Sequence, residues 1–191
     1  MISHDNNPFS EREKEIINSG TENTPFRVLL IDNKEDSVLL RKKSNDIDDF
    51  KNNPDLELFI KRLKTTLISE DGVGIAAPQV GILKNIFLFI RTDLPNDSIV
   101  VVINPKIIDH PEETVCFEND GCLSVPETSG NSKRYPWIDV EYYNEKGEVI
   151  RERLEGHYRQ TGFNSVVFQH EYDHLQGILF TDKLYENIPT E

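Results

Sequence analysis

The sequence predicts a single α+β domain, and three observations carry that prediction. One strongly periodic helix stands in the first third of the chain, short β-rich apolar runs occupy the middle, and a second helix lies near the C-terminus. At 191 residues the chain is long enough to bury one core and too short for two full catalytic domains. No repeat, low-complexity tract or linker divides it.

Residues 1–25 read as a polar N-terminal tail. Within it Ser10 and Glu13 form a capping-box pattern ahead of Ile16 and Ile17, with Gly20 as a stop, which predicts a short helix on a loose segment. Residues 26–32 read as a brief β run, followed by a charged connection anchored by Leu39 and Leu40. The clearest helix follows Asn53 as N-cap and Pro54 at its first position. Leu56, Phe59, Ile60, Leu63 and Leu67 recur at steps of three and four, and the helix should stop near Gly72. Residues 86–90 and 99–103 read as buried strands separated by the turn Pro95-Asn96-Asp97. Ile138, Val140 and Tyr142 alternate with Asp139, Glu141 and Tyr143, and Glu145-Lys146-Gly147 turns the chain back into residues 148–154, a half-exposed hairpin. Finally Phe163, Val166, Val167, His170 and His174 share a helical face that Gly177 terminates. The folded body is expected over residues 26–184, with a short C-terminal tail over 185–191.

Twenty-one basic against 34 acidic residues give a formal charge of −13, with the acids spread along the chain. Such a surface repels phosphate backbones and anionic lipid, so no direct nucleic-acid or membrane partner is expected. No apolar run is long enough to span a bilayer, and the N-terminus lacks a signal-peptide core, which makes a cytoplasmic protein the expectation. Cys116 and Cys122 are too few for a disulfide framework and fit a reducing compartment.

The chemistry concentrates in three stretches. His170-Glu171-Tyr172-Asp173-His174 is an H-E-x-x-H pattern whose two imidazoles, four residues apart on a helix, can reach one ion. Glu171 stands where it can take a proton from water at that ion and pass it to a leaving nitrogen. A surface helix that carries two His by accident is the plain alternative, against which stands the apolar run before His170. A tetrahedral site wants a third, soft or imidazole ligand, and Cys122 in Asp120-Gly121-Cys122-Leu123-Ser124 is the best candidate, although a lone Cys is more often a small buried hydrophobe. In residues 72–81 small residues surround Gln79, whose amide could steady an oxyanion. That run lacks the spacing of a P-loop or a dinucleotide fold.

Taken together, G-x-G-x-A-A-x-Q, x-G-C-L-S and H-E-x-D-H, in this order, resemble the three motifs of peptide deformylases over roughly residues 26–184. The resemblance implies antiparallel β-sheets surrounding the C-terminal motif helix, with a helix near the N-terminus. It implies removal of the N-formyl group from the initiator N-formylmethionine of nascent chains at the ribosome, with formate released. It further implies one divalent metal per chain on Cys122, His170 and His174, usually Fe(II), with Zn, Ni or Co able to occupy the site. Glu171 would be general base and then acid. Gln79 and the backbone N–H of Leu123 would hold the oxyanion, and Gly74 would pair its backbone with the substrate. Val73, Phe163, Val166 and Val167 are then candidates for the methionine pocket. A thiolate beside ferrous iron predicts sensitivity to oxygen.

Two positions depart from the family pattern. Asp120 stands where Glu is usual, and Ser129 where several relatives carry Arg. A catalytically silent homologue that binds peptide N-termini is therefore the reading from another class. A zincin-like peptidase shares H-E-x-x-H but completes its site downstream, where few residues remain. Asp173 could pair with Arg134, either buried or as a solvated surface pair. His4, His110, His157 and Cys116 receive no role.

Overall fold

The computed structural model describes residues 7–48 and 52–185; His4 and nearly all of the expected C-terminal tail lie outside the described residues. The run Ile-Phe-Leu-Phe-Ile organises the architecture. It forms strand β2 (Ile86–Arg91), which pairs on one side with β1 (Gly74–Ala76) and on the other with β3 (Ser98–Asp109). The antiparallel sheet continues through β6 (Trp137–Tyr143) to β7 (Val149–Glu155), in the order β1-β2-β3-β6-β7. Successive side chains of a strand face opposite sides of a sheet. Ile86 and Leu88 accordingly enter a core shared with helix α3 (Pro54–Ser69), where Phe59 and Leu63 are fully buried, while Phe87 and Phe89 enter a second core on the other face. That second core is built on helix α4 (Asn164–Leu175), whose Phe168 ring meets Phe87 edge-on at 4.9 Å. Burial on both faces explains why the run shows no polar alternation. The hairpin β6–β7 is one-sided: Ile138, Val140 and Tyr142 face α4, and Asp139 and Glu141 pair outward with Arg153 and Arg151.

A second sheet of two strands, β4 (Val115–Cys122) and β5 (Val125–Arg134), meets the turn after α4 through Val125, Leu179 and Phe180. The motif helix thus lies between the large sheet and this hairpin. Neither β4 nor β5 is legible from the residue pattern, because polar residues occupy both faces of these strands and the register is broken between Phe117 and Asp120.

Three expectations change here. The capping box of Ser10 and Glu13 does start helix α1 (Glu11–Asn18), but the segment is not loose. Phe9 and Ile17 are buried in the first core, Glu13 accepts the Leu83 N–H, and Arg62 of α3 donates to the carbonyls of Ile16 and Ile17. Residues 26–32 join neither sheet. They run extended, with Leu29 N–H donating to the Gln79 carbonyl and Ile31 N–H to that of Ser124, so their β-like composition serves a connection that ties the two motif loops together. The charged connection contains helix α2 (Lys34–Leu40), capped by Asn33, whose side chain accepts from Glu35 and Asp36.

Asp36 on α2 is buried, accepts both Arg27 guanidinium nitrogens and the Leu30 N–H, and is held below the usual carboxylate range first by the Arg27 hydrogen bond. A depressed folded pKa contributes stability that is present above the unfolded value, near 4, and lost as pH falls through the folded one. Asp36→Asn should therefore cost about 1–2 kcal/mol at pH 7, Arg27 being largely exposed, with the difference shrinking as the pH drops below about 4. Urea titrations of both proteins across that range read the effect.

Candidate active site

Helix α4 is seated by Val167 and Phe168 in the second core, which turns the neighbouring face, with His170 and His174, toward the β4–β5 hairpin. The two rings lie 5.1 Å apart, centroid to centroid. Gly177 ends the helix region in a left-handed conformation at φ 73°, pressed against the Arg41 carbonyl where a Cβ would clash. Cys122 closes β4, pairs with Val125 across a tight turn, and brings Sγ to 3.3 Å from His174 Nε2. The ligand atoms of Cys122, His170 and His174 all lie within 4.8 Å of one another. One thiolate and two imidazole nitrogens at that spacing fit a divalent ion with a fourth position left open.

His170 is oriented from behind. Its Nδ1 lies 3.1 Å from Asp120 Oδ1, which leaves Nε2 for the centre. Asp120 Oδ2 accepts from Ser132 Oγ at 2.6 Å and from Arg134 Nη2 at 2.8 Å, and Arg134 Nη1 reaches Asp173 Oδ2 at 2.6 Å. Arg134 is 1% exposed, so the Asp173 pair is a buried one and not a solvated surface contact. Although its carboxylate is one methylene shorter than the family's Glu, Asp120 reaches both His170 and Arg134. Burial opposes its charge, but the His170 hydrogen bond and the Arg134 guanidinium hold it well below the usual carboxylate range. Removing Arg134 would take the one fully buried cation from between two buried carboxylates, leaving Asp173 with the part-exposed Lys183 and Asp120 with Ser132 and His170. Arg134→Met should cost about 3–5 kcal/mol, or roughly 6–20 °C in thermal midpoint, and a scan showing less than a few degrees would mean that the cluster is solvated in solution.

Glu171 is buried beneath β1. A Cβ on Gly74 would clash with Glu171 Oε1, so glycine is required for the strand to approach the carboxylate. Glu171 Oε2 has no hydrogen-bond partner, and burial pushes the carboxyl up to about 7. Gln79 sits in a 3₁₀ turn (Ala77–Val80) directly after β1. Its Oε1 accepts the Ala76 N–H at 2.8 Å, which aims Nε2 at Cys122 Sγ (3.5 Å) and Ser124 Oγ (3.3 Å).

A cavity of about 510 Å³ opens onto this group. Val73, Gly74, Phe163, Val166 and Val167 all line it, as does Leu123. Val73 is the most open of them, at 46% exposed. Phe117 and Arg159 line it too, and sequence reasoning missed both: one lies on the unrecognised β4, the other on the connection between β7 and α4. Ser129 is exposed on β5 opposite Gly121. His110 stacks on Tyr135 and His157 leans on Tyr158, both away from the centre, and Cys116 is not part of the ligand cluster.

The sequence profile described as polypeptide deformylase matches residues 27–188. The chain belongs to the polypeptide deformylase family. Its members are metal-dependent hydrolases that remove the N-formyl group from nascent peptides. The peptide deformylase of Thermotoga petrophila is 42% identical over 146 residues, 76% of this chain and 81% of the relative. The crystal structure of the Thermotoga maritima peptide deformylase superposes with a TM-score of 0.72 at 36% identity, over 84% of this chain and 98% of that one. A class I type b peptide deformylase from Acinetobacter baumannii with Met-Ala-Ser bound gives a TM-score of 0.72 at 30% identity, over 85% and 99%. Among the described residues no helix is long and apolar enough to cross a membrane.

Proposed function

We propose that this chain hydrolyses the formyl amide of N-formylmethionyl polypeptides at an ion held by Cys122, His170 and His174, releasing formate and a free amine. The observation that carries the reading is the three-donor cluster beside a buried Glu171 with an unpartnered carboxylate oxygen, opening onto a cavity next to an edge strand. When bound, the ion supplies Lewis acidity and makes water acidic enough to attack near neutral pH. Glu171 takes the proton from the attacking water through Oε2. As the formyl carbon–nitrogen bond breaks, Glu171 returns a proton to the leaving nitrogen. Gln79 Nε2 and the Leu123 N–H are the donors offered to the oxygen that gains charge at the formyl carbon.

Substrate recognition follows from the edges of the fold. Among the described residues strand β1 has β2 on one side only, so its other edge around Gly74 can accept an extended peptide as an added strand. Phe163, Val166 and Val167, with Val73 at the rim, supply an apolar pocket for the methionine side chain. The Met-Ala-Ser peptide in the Acinetobacter relative supports a site built for a methionine N-terminus. Fe(II) is the metal we assign, with Zn, Ni or Co as substitutes. The cytoplasm is the location, and nascent chains at the ribosome are the substrates, met without direct contact to nucleic acid.

Anaerobically purified protein should release formate from formyl-Met-Ala-Ser, lose that activity to a chelator and regain it with Fe(II). Metal-loaded protein that binds the peptide without releasing formate would be a silent homologue. Cleavage at an internal peptide bond would identify a zincin-like peptidase.

A further inference from the structure

We propose that Arg159 is a specificity-determining residue that favours substrates with a carboxylate side chain within two residues of the methionine. The inference rests on the deformylase reading of the same cavity. Arg159 lies on the tight turn between β7 and α4, closed at its neck by the Tyr158 N–H on the Gly162 carbonyl and the Gly162 N–H on that of Tyr158. From there its side chain reaches over the cavity. Nη2 donates to the Asn119 carbonyl of β4 at 2.6 Å, and the guanidinium lies 4.9 Å from the Phe117 ring and 5.4 Å from that of Phe163. Those two rings stack at 5.7 Å, so the cation rests on an aromatic platform at the wall of the substrate site.

Most arginines with described contacts here meet a carboxylate; Arg62 instead fills its donors with backbone carbonyls, and Arg159 meets a single carbonyl. In a chain of net charge −13, Arg27, Arg91, Arg134, Arg151 and Arg153 all pair with carboxylates. Among the described residues Arg159 pairs with no carboxylate, and it is the only Lys or Arg that lines the cavity. One backbone carbonyl satisfies one of five N–H donors, which leaves the planar fork for an incoming anion. Glu70 and Asp71 line the same cavity, so a basic peptide has acidic groups to attract it there, and Arg159 supplies the opposing preference at its own wall.

The test compares kcat/KM for formyl-Met-Glu-Ser and formyl-Met-Ala-Glu with that for formyl-Met-Lys-Ser and formyl-Met-Ala-Lys, in the parent and in Arg159→Ala and Arg159→Glu. At least one acidic peptide should be preferred over its Lys counterpart by about 3- to 10-fold at low salt. The ratio should fall toward one in Arg159→Ala, invert in Arg159→Glu, and shrink as salt rises. Calorimetric binding of the matching unformylated tripeptides gives the same ratio without turnover. Absence of formate from every peptide would count against the deformylase reading, while the binding ratios would still decide on Arg159. Equal ratios in the parent and both variants would overturn the proposal.

Discussion

A Glu171→Gln protein should keep its metal and release formate about 10²–10⁴-fold more slowly, the range that loss of a positioned acid–base group costs. The substitution is close to isosteric, which matters because the side chain is wedged under β1, where Gly74 has no room even for a Cβ. Gln fills the same space and leaves the three ligand atoms untouched, so metal content separates a chemical effect from a structural one. What is lost is a carboxylate able to accept a proton, one oxygen of which, Oε2, is buried with no hydrogen-bond partner. The peptide KM should change little, because in the proposed mode binding would rely on the β1 edge and the apolar wall. A fall in formate release that tracked metal loss would instead make Glu171 a structural support for the ligands.

Legibility in the sequence followed how local each interaction is. Helix α3 and strand β2 could be read because a single segment carries both the cap or turn and the apolar pattern. His170 and His174 were equally local, one helical turn apart. Cys122 was a lone thiol until the Gly121 context and the other two motifs were read with it. By contrast, Asp120 was visible only as a departure from a pattern. Its function as the link between His170 and Arg134 depends on strand pairing, which sets β4 against β5 so that residues far apart in sequence share one buried cluster. Helix α2 was hidden for a related reason: one short amphipathic turn with a charged face reads as a connection. The docking of α1 was missed because Phe9 and Ile17 are too widely spaced to form a run, although both end in the core. Arg159 belongs to a turn whose position over the cavity is set by tertiary structure alone.

Cys122→Ala should lose metal and activity together. In structural zinc sites four ligands supply about 10–16 kcal/mol, so one ligand corresponds to roughly 3–4 kcal/mol and its removal to at least about two orders of magnitude in affinity. The remaining pair, His170 and His174, cannot make good the loss, since both project from the same helix and bind the ion from one side. Cys122 would also register the ion against Gln79, whose Nε2 is aimed at its sulfur. Restoring occupancy with excess metal should therefore recover only part of the formate release, because the ion would no longer be registered against the oxyanion donor. Elemental analysis of the purified variant and a metal titration followed by formate release read the two effects separately. Full activity at saturating metal would reduce Cys122 to an affinity ligand. Metal retained at one per chain without added ion would mean that the thiolate is not a ligand, and that the site is completed by another group.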